Sequence, residues 1–249
     1  GGEPRTFPLE AKNGFLPDLD QLAGMMDSRT RMLFLNYPNN PTGAVAGPEF
    51  WRKVTDLAAS KGVILVNDAA YQEVTFTPEA QTSLLQVADC RTNQVIELHS
   101  FSKMFNMTGW RIAFAVGHAG VISSLARVKE SMDSGVFTPV QDVAAFALGD
   151  GFEELLAGVM AVYPPRREVI QTALRQAGYE IYASGATFYV WAQVPTGFTS
   201  MEYCSRALQD IGVVLTPGNG FGTGGEGWFR ISLTASDADI AEGARRIMG

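Results

Sequence analysis

Apolar residues along the chain fall into short unbroken runs separated by longer stretches of helical period. In the first half the runs are "RMLFLN" (31–36), "VILVND" (63–68), "NQVIELHS" (93–100) and "RIAFAVG" (111–117). Continuous rather than alternating hydrophobicity predicts strands covered on both faces. The segment "GPEFWRKVTDLAASKG" (47–62) predicts a helix that ends at Gly62. Strands separated by helices predict an α/β fold: a mostly parallel sheet with helices on both faces.

After residue 118 the texture changes. "AGVISSLARVKESMDSG" (119–135) and "TPVQDVAAFALGD" (138–150) predict helices. "GFEELLAGVMAVYPPRREVIQTALRQAG" (151–178) predicts a long helical stretch broken or kinked at Pro164-Pro165. "ATFYVWAQV" (186–194) predicts a strand and "SMEYCSRALQDIG" (200–212) a helix. "VVLTPG" (213–218) and "WFRISLT" (228–234) predict two more strands, and a final helix starts at Ser236. The expected organisation is a large domain over 1–157 and a smaller C-terminal α/β domain, with an antiparallel component, over 158–249.

Composition narrows the class. With 249 residues and 46% hydrophobic side chains, the chain can bury a sizeable core. The formal net charge of -7, without basic runs, argues against nucleic acid or an anionic membrane as partner. Cys90 and Cys204 match no metal spacing, which predicts a reducing compartment. No stretch reads as a transmembrane span or signal peptide, so the cytoplasm is the expected location. The opening "GGEPRTFPLEAKNGF" has no initiating methionine, and an N-terminal portion is expected to be absent.

Polar residues gather where the first three strands end. "MLFLN" runs into "YPNNPTG" (37–43), whose prolines and glycine predict a rigid turn presenting the Asn40 amide. "VILVN" runs into Asp68, with Tyr71 three residues on. The carboxylate suits a helix cap or a charge-assisted bond to a protonated ring nitrogen. No histidine is near enough in sequence to complete a metal site there. "VIELH" runs into Ser100, Ser102 and Lys103, followed by Arg111. In extended chain the two hydroxyls share one side and Lys103 takes the other, unless the strand has ended. Hydroxyls, free backbone N–H groups and a guanidinium suit a phosphate. Taken singly, Lys103 reads as a solvated cation. Ligands of open α/β sheets bind beyond the carboxyl ends of the strands, so parallel strands would bring all three clusters to one rim. Together they suit a ligand with a phosphate, a ring nitrogen and a carbonyl carbon that an amine can trap.

The motifs "NNPTG", "DAAY" and "SFSKMFNMTGWR", in this order and followed by "GEGWFRISLT", resemble the class I/II aminotransferases, pyridoxal 5'-phosphate enzymes of fold type I. The wording "HSFSKMFNMTGWRIAFAVG", with "MDSGVFTPVQ", is most similar to the branch holding LL-diaminopimelate aminotransferases and their aspartate- and alanine-transaminating relatives. The resemblance implies that Lys103 binds the cofactor covalently and carries out catalysis. It implies that Asp68 pairs with the ring nitrogen and that Tyr71 and Asn40 hydrogen-bond the phenolic oxygen. Ser100, Ser102 and Arg111 would hold the phosphate. Arg230 would clamp the substrate α-carboxylate, with Asn40 also on the substrate side. In "WFRISL" Arg230 alternates with Phe229 and Ile231, so it can leave the apolar face; alone it reads equally as an edge-strand surface arginine. Phe188 reads as a core aromatic or as a pocket wall.

The family implies amino acid and 2-oxo acid substrates and a homodimer. It also has a first segment with no counterpart here, carrying the aromatic that stacks on the cofactor ring, a Gly-rich phosphate turn and a tyrosine lent to the partner subunit. The chain is thus expected to hold the lysine half of a site. Other readings stay open at this stage: another fold type I enzyme, such as a C–S lyase or an aminocyclopropane-carboxylate synthase, the aminotransferase-like effector domain of a transcription regulator, or an inactive fragment.

Overall fold

The computed structural model describes residues 1–249, apart from the side chains at positions 78 and 79. The chain divides into two compact units, each assembled from separate pieces of sequence. One comprises Leu19–Pro38 and Val45–Met160; the other comprises Gly1–Asp18, Asn39–Ala44 and Ala161–Gly249.

The first unit begins with helix α1 (Leu19–Met25), strand β1 (Met32–Leu35) and helix α2 (Pro48–Ser60). Pro48 sits in the first turn of α2, where its missing N–H costs nothing. Trp51, Val54, Thr55 and Ala58 form the buried stripe expected of a helix laid on a sheet. Gly62, at φ +64°, turns the chain into strand β2 (Ile64–Asp68). Strand β3 (Val95–Ser100) is followed at once by the one-turn helix α3 (Phe101–Met104), then by strand β4 (Ala113–Gly117). Helices α4 (Ala119–Glu130), α5 (Thr138–Leu148) and α6 (Phe152–Met160) complete the unit.

The four strands pair in the order β1-β2-β3-β4. The pairs β1–β2 and β2–β3 are parallel, and β3–β4 is antiparallel. The mostly parallel sheet expected from the unbroken apolar runs is therefore present, and the first three strands end on the same side. β4 runs back beside β3 after a connection made of a helical turn and a loop. On β1 the apolar run is exposed on one face: Leu33 and Leu35 are buried, while Met32 and Phe34 are each 53% exposed.

The second unit contains helix α7 (Tyr163–Gln176), strand β5 (Tyr189–Gln193), helix α8 (Ser200–Ile211), the short strand β6 (Thr216–Pro217), strand β7 (Trp228–Ser232) and helix α9 (Asp237–Met248). The three strands form an antiparallel sheet in the order β5-β7-β6, the antiparallel component expected of the C-terminal part. Trp191, Phe229, Leu233 and Leu174 lie fully buried in its core. Two caps punctuate this unit. Thr199 and Glu202 form a reciprocal capping box at the start of α8, and Ser236 caps α9. Pro164 and Pro165 do not kink a helix; they lie in the first turn of α7, and the break falls just before them. The N-terminal piece packs in this unit. Phe15 is buried edge-on to Tyr182 at 4.8 Å, and the Tyr182 hydroxyl donates to the Gly14 carbonyl at 3.0 Å.

Candidate active site

In the first unit, the β2–β3 register sets which side chains share a face. Asp68 pairs with Leu98, so Asp68 and Ser100 lie on the same face of neighbouring strand ends. The strand stops at Ser100, and the next residues are helical. The alternation expected of an extended "SFSK" is therefore replaced by a cap, in which the Ser100 hydroxyl accepts from the Ser102 N–H at 3.2 Å. Phe101 and Met104 anchor this turn in a cluster with Ala144 and Ala147 of α5, while Lys103 stays half-buried. The Lys103 Nζ lies 5.9 Å from the centre of the Tyr71 ring, within reach of a cation–π contact. Tyr71 itself is buried, in the turn that follows Asp68.

Arg111 joins the same cluster through a relay. It adopts a left-handed backbone conformation, φ +55°, rare for a residue with a side chain. Its Nη1 donates to the Thr108 carbonyl at 2.9 Å, and the Thr108 hydroxyl donates to the Ser102 carbonyl at 3.0 Å. Asp68 accepts from the Ala70 N–H at 3.3 Å. Burial pushes its carboxyl above the ordinary range, against the pull of that hydrogen bond and of His99. The first unit thus brings together Asp68, Tyr71, Ser100, Ser102, Lys103 and Arg111.

The second unit brings together Asn40 and Arg230, which lie 190 positions apart in the chain: Arg230 Nη1 donates to Asn40 Oδ1 at 2.8 Å. Arg230 is not an edge-strand residue, because β7 is the central strand of its sheet. Its guanidinium lies over the rings of Tyr189 (4.0 Å) and Phe221 (4.8 Å). Its Nε is buried and finds no hydrogen-bond partner among the described residues. Phe188 is buried against Tyr163, ring centres 5.0 Å apart, and belongs to the core. The "YPNNPTG" turn is held at both ends. Asn39 N–H donates to the Ala44 carbonyl and Gly185 N–H to the Gly43 carbonyl. The peptide bonds before Pro38 and Pro41 are cis.

Several polar residues escaped the sequence reading: Asn36, Asn67, Glu97, His99 and Thr108. Asn67 and Glu97 carried a legible signal, since each is a polar residue inside an unbroken apolar run. Among the described residues no group of His, Cys, Asp and Glu side chains could hold a metal ion. None of the helices they form is long and apolar enough to cross a membrane.

The pattern of the family described as aminotransferase class I and II matches residues 1–247. The chain belongs to that family. Its members depend on pyridoxal 5'-phosphate. An LL-diaminopimelate aminotransferase of Nitratidesulfovibrio vulgaris strain DP4 is 45% identical over 248 residues, covering 99% of this chain and 63% of its own. Its counterpart in Aquifex aeolicus is 44% identical over 247 residues, with the same coverage of both chains. The chain therefore spans 63% of the length of these curated relatives. Among solved structures, the aromatic aminotransferase from Pyrococcus horikoshii matches with a TM-score of 0.91 at 27% identity, over all of this chain and 67% of that one. A probable N-succinyldiaminopimelate aminotransferase from Thermus thermophilus matches at 0.87 and 33%, over 98% of this chain and 65% of that one. The fold is thus that of the fold type I aminotransferases.

Proposed function

We propose that the protein is an aminotransferase that moves an amino group between an amino acid and a 2-oxo acid, with pyridoxal 5'-phosphate bound at the end of the parallel strands. One observation carries the reading: Asp68 and Ser100 share a face at neighbouring strand ends, and Lys103 lies in the helical turn that follows directly. The groups present fit the cofactor chemically. A carboxylate suits a protonated ring nitrogen, two hydroxyls with a guanidinium suit a phosphate, and a primary amine suits the carbonyl carbon. On this reading Asp68 holds the ring nitrogen, Tyr71 and Asn40 the phenolic oxygen, and Ser100, Ser102 and Arg111 the phosphate. When bound, the cofactor supplies an electron sink for the pair left behind when the substrate α-proton departs.

The remaining work falls to the chain's own side chains. With the cofactor bound, Lys103 Nζ would be the group that takes up and hands on the substrate α-proton. Arg230 binds the substrate α-carboxylate; its spare Nε–H and its pinned guanidinium support that role. Asn40, already bonded to Arg230, steadies it and contacts the substrate. The relatives named LL-diaminopimelate aminotransferases support that compound as amino donor. A homodimer is proposed as the working assembly, supported by exposed apolar side chains such as Val128, Met132, Phe137 and Phe146.

The test uses the protein as its host makes it. Half-reactions with LL-diaminopimelate, aspartate, alanine, glutamate and aromatic amino acids should give the corresponding 2-oxo acid, fastest from LL-diaminopimelate. Release of ammonia in place of amino transfer would put the protein with the lyase-type enzymes instead. Lys103→Ala should abolish transfer and leave no borohydride-reducible cofactor adduct; persistence of that adduct refutes the assignment of the lysine.

A further inference from the structure

On the other face of the first sheet, behind Asp68, lies a buried acid that has no part in the chemistry above. Glu97 is 0% exposed and stands directly opposite Asn67 in the β2–β3 register. Its Oε1 accepts from the Leu84 N–H at 2.8 Å and from Asn67 Nδ2 at 3.2 Å. Its Oε2 accepts from the Ser83 hydroxyl at 2.7 Å and lies 3.3 Å from His99 Nε2. Burial alone would push this carboxyl up, but the hydrogen bonds from His99, Ser83, Asn67 and Leu84 hold it below the ordinary range. The Asn67 amide also grips both sides of one residue. Its Oδ1 accepts from the Tyr37 N–H at 2.9 Å, and its Nδ2 donates to the Tyr37 carbonyl at 3.0 Å. The His99 ring stacks on Phe114 of β4, centres 4.9 Å apart. One carboxylate therefore ties together the exit of β1, the end of β2, β3 itself and a neighbour on β4.

We propose that Glu97 is a positioning residue for the cofactor rim: through Asn67 it fixes Tyr37 and the strand end that carries Asp68. The proposal rests on the function proposed above. Asp68 follows Asn67 by one peptide bond, and Asn36 Nδ2 donates to the Asp68 carbonyl at 2.7 Å. A shift at Asn67 therefore reaches Asp68 from two directions. Packed interiors pass such shifts on rather than absorbing them, and a misplacement of about 1 Å can cost a reaction roughly 10²-fold.

Three variants of the host-expressed protein decide the matter: Glu97→Gln, Asn67→Ser and, as a control, Ser83→Ala. Ser83 bonds the same carboxylate but belongs to the turn at Leu84–Gln86 and makes no bond to Asn67 or Tyr37. The dissociation constant of pyridoxal 5'-phosphate is read by absorbance titration, well below the thermal midpoint of each apoprotein. Glu97→Gln and Asn67→Ser should each raise it roughly tenfold or more and lower kcat, with the KM for the amino donor little changed. Ser83→Ala should lower the thermal midpoint while leaving the cofactor constant within about twofold. If Glu97→Gln does not fold, Asn67→Ser carries the comparison alone. Variants that lose thermal stability yet bind cofactor as the wild type does would overturn the proposal. So would a control that weakens binding as much as they do. A wild type that shows no saturable cofactor binding would sink the functional reading itself, and this proposal with it.

Discussion

The Arg230 guanidinium lies over two aromatic rings and donates to Asn40, yet keeps a buried Nε–H that finds no partner among the described residues. A donor held this way, in a planar fork, matches a carboxylate in two parallel bonds, whereas a lysine ammonium is a single point charge. Arg230→Lys should therefore raise the KM of every amino acid substrate roughly tenfold or more. Cofactor titration should not change, and equal KM values would remove Arg230 from substrate binding. Asp68 shows the opposite balance between stability and use. Its raised folded-state pKa means that its contribution to stability is present at low pH and is lost as pH rises through that value. At neutral pH the ionised carboxylate is thus a cost to the apoprotein. Asp68→Asn should raise the apoprotein's thermal midpoint near neutrality while weakening cofactor binding, and it should abolish the fall in wild-type affinity on acidification. A lower midpoint together with unchanged binding would contradict both halves. The strand-end places of Asp68 and Ser100 were legible because β2 and β3 are unbroken apolar runs. The bond between Arg230 and Asn40 was not, because nothing local links positions so distant in the chain.

Elements were legible where burial was complete and less so where the pattern was shared. The cores of β2 and β3 followed directly from unbroken apolar runs. β6 shrank to Thr216–Pro217 although "VVLTPG" is equally apolar, and Val214 is largely exposed. Helix α1 was missed, because its short segment buries only Leu22 and shows little period. The handover from β3 to α3 turned on the hydroxyl of Ser100, which favours a cap over continued strand. The turn 39–44 is closely packed. Gly43 has φ +70°, and a Cβ there would overlap Ser184 Cβ and approach the Ala186 carbonyl oxygen to 2.7 Å. Gly43→Ala should therefore lower stability by about 1–3 kcal/mol, read as a fall in denaturant midpoint at constant slope. An unchanged midpoint would mean that the Ser184 segment yields freely.

Across the whole molecule, the exposed apolar side chains of the first unit set the strongest expectation. Met132 is 78% exposed and Phe137 73%, values that water-facing residues of this size rarely keep in concentrated patches. If a second copy covers them, Met132→Asp combined with Phe137→Asp should shift the host-expressed protein from dimer to monomer in sedimentation, at protein concentrations where the wild type stays associated. A dimer that survives both changes would place the contact elsewhere. The piecewise make-up of the two units has a consequence for anyone dissecting the gene. A single cut after Met160 leaves Gly1–Asp18 and Asn39–Ala44 on the fragment that does not contain the rest of their unit. The C-terminal fragment then lacks Phe15, which packs on Tyr182 and Trp228, and lacks Asn40, which bonds Arg230. The C-terminal half is therefore not a module to be moved intact to another protein. The C-terminal fragment should gain its full structure only when mixed with the N-terminal one, which carries Phe15 and Asn40.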